Sequence, residues 1–454
     1  MAISPASLRP WPDLLPELLG HVIAHLPFPA DRARLRVVCR GWHSAARRHV
    51  SQLPWLVLPD GSLVTVGDSV AYFHGRTTIP GLPEDATCVG STDGWLALDR
   101  TDQAHRRTTV QDVYSGAFRK PSRDIKHAHA YLLHNPFSGA TVPLPELDAV
   151  AGVVSEVFEV RKVLMRSPSS APGDDDVVAF MTSSTRFCNI ILCRPGKGTF
   201  VLPDFAVHDI EFIGDWLYGI TPGDDLLAFR VGEDGDGKPT VTKFKRVIKH
   251  PLADGTFDFL SWMEEEEQEV ADEAPNQDDD DDEDEEEEEE VADEAPNQDE
   301  DDEGFNSGDD MIPDGQVIEH DGEPYEANDN IVTASKIVRS QGGELLMVRR
   351  QMQVPPFASS YTREVEVFKA NLDAGERVLS ADDGLAEDEA LFLSPSFCRS
   401  APARGDIKAG FIYFADTDEV FDTRCRIVRP FRLPPQRHLF CSRLTWVFPP
   451  ELVV

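Results

Sequence analysis

Residues with reactive side chains are few in this chain of 454, and they are poorly grouped. His127, His129 and His134 could offer imidazole nitrogens to a metal ion, but no cysteine or carboxylate accompanies them at ligand spacing. Strand alternation accounts for the His127 and His129 pair as well. Cys188 and Cys193 could form a redox couple, yet the spacing is not C-x-x-C, and free cysteines near one strand pack as small apolar groups. Gly196-Lys197-Gly198-Thr199 matches a fragment of a phosphate loop; the upstream glycine is missing and no helix signal follows, so a hairpin turn is the better reading. No Ser-His-acid order stands out. The paired acids are concentrated in a tract too poor in apolar residues to hold carboxylates in a reactive geometry. The sequence thus offers no catalytic, cofactor-binding or metal-binding residues, and its function is to be sought in surfaces that bind.

One stretch has the pattern of such a surface. From Trp11 to Val50, the residues Leu15, Leu18, Leu19, Val22, Ile23 and Leu26 recur at the three-and-four spacing that lines one face of a helix. Pro27 and Pro29 end it. Asp31 stands where an N-cap carboxylate belongs, and Leu35, Val38, Cys39 and Trp42 repeat the spacing on a second helix. His21 and His25 lie one turn apart on the polar side, where solvent suffices for them. Short helices of this kind bury little among themselves and are marginal in water, so the apolar stripe needs a partner.

Leu14 to Leu19, with Val22, Ile23 and Leu26, follow the F-box pattern L-P-x-E-L-L-x-x-I-L-x-x-L, except that Leu15 takes the place of the usual proline. Asp31, Arg34-Leu35-Arg36, Val38-Cys39-Arg40 and Trp42 follow its second half, and Arg32 replaces the usual leucine. The stretch therefore resembles an F-box. That resemblance implies a Skp1-binding handle, reaching cullin and RING subunits through Skp1, with Leu14, Pro16, Leu18, Leu19, Val22, Ile23, Leu26, Leu35, Val38, Cys39 and Trp42 as the contact residues. In it Trp42 is an indole placed to anchor a partner interface.

Composition sets bounds. With 41% apolar residues the chain can bury a sizeable core over two or three domains. Its seven cysteines are an odd set without a C-x-x-C pair, and the N-terminus lacks a signal pattern, which suggests reduced thiols in the cytoplasm or nucleus. No apolar run approaches the roughly 20 residues that cross a bilayer, so a membrane role is not expected. Arg32, Arg34, Arg36, Arg40, Arg47 and Arg48 raise the question of nucleic acid, but a chain of net charge −38 would be repelled by phosphates unless that patch acted alone.

After Leu53 the period changes to that of strands. Leu53 to Val70 alternates about Pro59-Asp60-Gly61, a hairpin signal. A small or acidic turn followed by an apolar strand then recurs at Asp93-Gly94-Trp95, Asp215-Trp216, Gly343-Glu344-Leu345 and Gly410-Phe411. Return hairpins recur from Tyr131, Ile190 and Val367. Trp95, Trp216 and Trp262 read as core between sheets. Strand pairs at irregular intervals, with almost no helical periodicity, predict an all-β repeat, a β-propeller of about six blades, with a pair of β-sandwiches as the alternative. Pro54 to Pro59, Cys88 to Leu96, and Leu133 to Gly139 with Leu144-Pro145 resemble the plant F-box proteins whose C-terminal part is a KIB-type β-propeller, also called domain of unknown function 295. The reading is a flexible N-terminus (1–10), an all-α F-box (11–50), an all-β propeller in two parts (51–263 and 331–454), and an insertion between them (264–330). The resemblance implies a non-catalytic substrate-recognition adaptor of an SCF-type ubiquitin ligase, whose propeller holds an unknown substrate protein. A scaffold that binds Skp1 or another protein without delivering a substrate is the alternative.

The insertion sets the isoelectric point. Between Glu264 and Glu303 stand 27 of the 81 acids and no base, leaving 54 acids against 43 Lys and Arg elsewhere, a balance of about −11. VADEAPNQD occurs twice in it, from Val270 and from Val291. Too few apolar side chains offset the chain entropy, and like charges repel, so disorder is predicted. A solvated loop insertion and an electrostatic lure for a basic partner both fit. Replacing Glu264–Glu303 with a short Gly/Ser linker should leave the melting temperature within about 2 °C of the full chain, because few packed contacts are lost. A larger fall, read by calorimetry, would show that the tract packs on a folded surface.

Overall fold

The computed structural model of the chain describes residues 11, 14–24, 35, 38–49, 54–58, 61–66, 71–79, 81–83, 85–92, 94–101, 122–166, 176–184, 187–203, 205, 207–250, 317–320, 323–326, 330–355, 360–379, 385–403, 407–417, 419–430 and 444–448. Two units are distinguished, Met1–Pro251 with Asn330–Val454, and Leu252–Asp329. In the second unit Val317–His320 pairs antiparallel with Glu323–Glu326. These two short strands fall inside the stretch that the sequence assigns to disorder; Asp321-Gly322 between them is a dipeptide that hairpin turns favour.

In the first unit, Pro16–Ala24 (α1) begins with proline and carries Glu17 in its first turn, both favourable at a helix N-terminus. Arg40–His49 (α2) packs against it. The second predicted helix is not continuous: Leu35 is helical, a turn intervenes at Val38, and α2 starts afresh at Arg40. Cys39 is the reason. Its carbonyl accepts from His43 N at 2.9 Å, and its sulfur accepts from Trp42 N at 3.5 Å, so a thiol does the work of an N-cap oxygen.

The other described residues of this unit form six sheets of four or five strands. The first joins the two ends of the β region: Thr445–Val447, Trp55–Val57, Ser62–Val66 and Ala71–Thr78, in that spatial order. The second contains Ala86–Thr92, Trp95–Thr101, Lys126–His134 and Thr141–Pro143, with Val153–Ser155 added beside Lys126–His134. Blade three is Phe158–Met165, Val178–Ser184, Phe187–Arg194 and Gly198–Val201. Blade four is Asp209–Ile213, Trp216–Ile220, Leu226–Glu233 and Pro239–Ile248. Blade five is Asn330–Arg339, Leu345–Val354, Tyr361–Asn371 and Glu376–Leu379. From the first sheet to the sixth, the edge strand at one end of each packs on that of the next, in the sixth the strand Phe397–Pro402, and these edges form the inner wall of a propeller.

Blade six departs from the simple meander. Glu389–Ser394 pairs antiparallel with Phe397–Pro402 on its inner side and parallel with Phe411–Phe414 on its outer side, followed by Glu419–Asp422 and Ile427–Pro430. Among the described residues one helix also interrupts the β region. Pro145–Ala151 (α3) buries Leu147 and Ala151, and its Asp148 accepts from Tyr131 N at 2.7 Å.

The hairpins follow the residues that signal them. Trp55↔Thr65 to Val57↔Leu63 form the first, closed by Gly61 at φ +74°. Asn135 Oδ1 accepts from Phe137 N and Ser138 N, and Asn371 Oδ1 from Ala374 N, each an Asx turn that frees the chain to return. Burial does not alternate as it would on a half-exposed sheet. Trp95–Asp99, Leu226–Phe229 and Glu389–Ser394 are buried at every position, because a blade has a neighbour on both faces. Apolar clusters of described residues accordingly lie between neighbouring sheets, as with Leu56, Phe392, Trp446 and Phe448 between blades one and six.

At the inner wall, Lys162 of blade three and Asp209 of blade four form an ion pair of 2.9 Å with both side chains fully buried. Asp209 also accepts from Ile337 N of blade five at 2.8 Å, and Cys398 Sγ of blade six lies 3.6 Å away. Burial would lower the Lys162 ammonium, and the Asp209 charge overrides it, leaving the group above the ordinary lysine range. Burial would raise Asp209, but Lys162, Lys336 and its hydrogen bonds hold it below the ordinary range. The Cys398 thiol is pushed up to about 12, first by burial and then by Asp209. Lys162→Met should cost about 3–5 kcal/mol by leaving the carboxylate buried and unpaired, and Lys162→Met with Asp209→Asn should recover part of that. A depressed Asp pKa contributes stability that is present above the unfolded value near 4 and is lost as pH falls through the folded one. In the variant burial is no longer opposed by Lys162 and pushes the carboxylate up, so the gap between wild type and Lys162→Met, measured by denaturant titration, should be widest near neutrality and shrink steadily as pH falls towards and below about 4.

Candidate functional site

The helical module divides the predicted stripe in two. Leu19 (2% exposed), Leu35 and Ala45 form its interior. Leu15, Leu18 (50% exposed) and Val22 stand in solvent at the i, i+3, i+7 spacing of one helix face, and Val38 is exposed as well. Leu14, Cys39 and Trp42 are half-buried, and Pro16 opens α1. Ile23 lies on α1, and Leu26 lies outside the described residues. The apolar residues of one sequence pattern thus serve two roles, packing of α1 on α2 and presentation of an apolar strip.

Trp42 is tied inside the module: its indole N–H donates to the Trp11 carbonyl at 3.1 Å, and the two rings meet edge to face with centroids 6.4 Å apart. Trp11, two-thirds exposed, is the larger free aromatic surface. Sequence reasoning did not single it out, since it precedes the helical period, although a tryptophan beside an amphipathic helix is a signal of its own. Of the six arginines, Arg40 is exposed at the head of α2, Arg47 and Arg48 fall on its last turns, and Arg32, Arg34 and Arg36 lie outside the described residues. His21 is exposed on α1, and His25 lies outside the described residues.

The reactive residue types elsewhere are dispersed. His127 Nε2 meets Glu156 at 3.0 Å, His129 Nδ1 meets Asp99 at 2.9 Å, and His134 Nδ1 meets the Thr141 hydroxyl at 3.2 Å. Cys188 and Cys193 share a strand, opposite Ser183 and Val178, and burial, followed by the Glu146 and Asp148 charges, pushes the Cys193 thiol up to about 12. Arg194 to Gly198 is a hairpin turn with Gly196 at φ +75°, and a strand follows it. Trp95 is buried core; Trp216 is only half-buried, with the Lys245 ammonium 5.0 Å from its ring centre; Trp262 lies outside the described residues.

The propeller also holds a cavity of about 270 Å³ between blades five and six, reached by Arg161 and His208 from blades three and four. Its residues are separated by more than 200 positions, so no motif announces it.

Leu19→Ala should cost about 2–5 kcal/mol of module stability, while Leu18→Ala, on the exposed side, should cost under about 1. Hydrogen exchange of α1 amides in the full chain separates the two, with rapid exchange expected only in the first variant.

The model of the F-box domain matches residues 11–51, and that of the KIB1-4 beta-propeller matches residues 64–432. The second span includes most of the blades but neither Trp55–Val57 nor Thr445–Val447, which close blade one outside it. No curated protein matches the chain. The pairing of an F-box with a β-propeller is typical of non-catalytic adaptors and supports, in general terms, a substrate-adaptor role in an SCF-type ligase. With the F-box at its head and the propeller family spanning most of its length, the chain belongs to the F-box proteins that carry a KIB1-4 beta-propeller.

Proposed function

We propose that this chain is the substrate-recognition subunit of an SCF-type ubiquitin ligase, with α1 and its flanking residues bound to Skp1 and the propeller bound to the protein to be modified. The observation that carries the reading is the exposed strip of Leu15, Leu18 and Val22, with Trp11 and Val38 also exposed, on the module matched as an F-box. Three leucine- or valine-sized side chains moved from water into an interface contribute about 1.5–3 kcal/mol each before ordering costs. A contiguous apolar strip of this kind marks an interface rather than a solvated face.

The mechanism is proximity. The adaptor makes no bond itself; holding a substrate lysine near a ubiquitin-charged enzyme converts a bimolecular encounter into an effectively intramolecular one. The contact residues would include Leu14, Pro16, Leu18, Val22, Ile23, Leu26, Val38 and Trp42, with Leu19, Leu35 and Cys39 supporting the surface from within. The free thiols of Cys39, Cys88, Cys193, Cys398 and Cys425 accord with the reducing cytoplasm or nucleus, where such a ligase works.

Leu18→Asp and Val22→Glu place a carboxylate on the strip, where desolvation costs several kcal/mol if a partner covers it. Each should abolish capture of purified Skp1 while leaving the propeller's melting unchanged. In cells, the best co-purifying partner should live longer with the Leu18→Asp chain, which holds it undelivered, than with the unaltered chain. Undiminished Skp1 capture would refute the handle; lost capture with equal partner lifetimes would favour a scaffold that binds without delivering.

A further inference from the structure

The cavity between blades five and six combines an apolar wall with more positive charge than its own carboxylates neutralise. Val348 and Met352 supply one side, Leu393 and Phe414 the other, and Lys336 stands between them. Arg350 is already matched: its Nη1 donates to both Asp416 oxygens at 2.9 Å, its Nη2 to Glu419 at 3.3 Å, and its guanidinium lies 3.9 Å from the Phe414 ring centre. Lys336 is not. Its ammonium donates to the Pro395 carbonyl at 3.0 Å, and the nearest carboxylate, Asp209 at 3.8 Å, is bound more closely to Lys162. One carboxylate thus serves two lysines.

Arg161 and His208 complete the site at its rim. Both are exposed, and neither side chain has a hydrogen bond or ion pair to a described residue; the His208 backbone N–H donates to Ile220 O at 2.7 Å. Arg161, on the inner strand of blade three, and His208, just before that of blade four, stand next to residues whose side chains do form such bonds, Lys162 and Asp209. An unpaired arginine beside a half-satisfied lysine forms a local positive field, and the imidazole next to them adds an N–H donor that can take up a proton when an anion arrives. Partial desolvation at the cavity rim is the largest influence on His208; Arg161 and Lys336 also disfavour its protonation, Asp209 and Asp224 favour it, and the balance holds the imidazole below its ordinary range.

We propose that this cavity is a binding site for a small anionic group, a carboxylate or a phosphate, seated on Arg161, His208 and Lys336 with a compact apolar body against Met352, Leu393 and Phe414. At about 270 Å³ the space suits one small molecule or one side chain of a bound protein, not an extended ligand. The inference is independent of the F-box and holds whether or not the chain serves a ligase.

The test uses the full chain and three probes in calorimetric titrations: phenylacetate, its neutral isostere phenylacetamide, and inorganic phosphate. Phenylacetate should bind at least about tenfold more tightly than the amide, since a charge-assisted hydrogen bond is worth about 1.5–3 kcal/mol and 1.4 kcal/mol is tenfold. Arg161→Gln should remove most of that preference and Arg161→Lys should restore part of it; Arg161 has no partner to lose, so neither variant should unfold the chain. A bound anion should raise the His208 pKa, so binding should tighten from pH 7.5 to 5.5, and His208→Gln should abolish that dependence. Phosphate outcompeting phenylacetate would assign a phosphoryl group, and the reverse a carboxylate. Displacement of either by a capped peptide bearing phosphoserine or aspartate beside phenylalanine would place the anion on a protein, and failure to displace would place it on a free small molecule. Equal binding of acid and amide, binding unchanged by Arg161→Gln, or no binding of either anion overturns the proposal.

Discussion

A buried carboxylate at the inner wall sets the terms for the propeller. Removing the charge of Asp209 from water costs several kcal/mol, and only a full set of donors offsets that cost. Lys162, Ile337 N and Cys398 supply the set, and they stand on blades three, five and six, while Asp209 opens blade four. No single blade can satisfy it. The apolar clusters between sheets draw the blades together without strong preference for register, because burial is non-directional. The carboxylate adds direction, since its donors reach it only when four inner strands are in place.

Closure of the ring follows the same logic at the other side. Blade one borrows its innermost strand, Thr445–Val447, from the end of the β region, and Trp446 lies opposite Leu56. Hydrogen bonds fix this strand to both neighbours: Ser91 Oγ of blade two donates to Trp446 O at 2.6 Å, and Trp446 Nε1 donates to Leu393 O of blade six at 3.2 Å. Joining segments almost 400 positions apart carries a loop-closure entropy that grows only logarithmically with length. A few buried hydrogen bonds and an indole with no exposed surface are of the magnitude needed to hold it.

What could be read from the sequence was local. Gly61, Asn135, Gly196 and Asn371 mark turns by backbone demands that act within a few residues, and the hairpins formed where they signalled. The F-box stripe was legible as a stripe. Its division, with Leu19 inside and Leu18 outside, depends on where α2 packs, and helical spacing alone does not carry that information. The start of α2 at Arg40 rests on a cysteine acting as a cap, which helix-start rules written for oxygen side chains overlook. Lys162 and Asp209 are 47 positions apart and individually ordinary; the parallel step in blade six, between Leu391 and Ile412, has no turn signature. Non-local pairing of this kind leaves no mark at short range.

The two parts of the chain also differ in how firmly they are held. The blades bury whole strands between neighbours, whereas α1 has nine residues and leaves three of its apolar side chains, Leu15 beside it included, in water. A helix of that length is marginal by itself and gains most of its stability from packing. A partner that covers the strip therefore supplies burial that the module lacks, and by linkage it stabilises α1 by an amount set by its concentration relative to its dissociation constant. The handle is then firm mainly when occupied, while the propeller keeps its shape through contacts of its own.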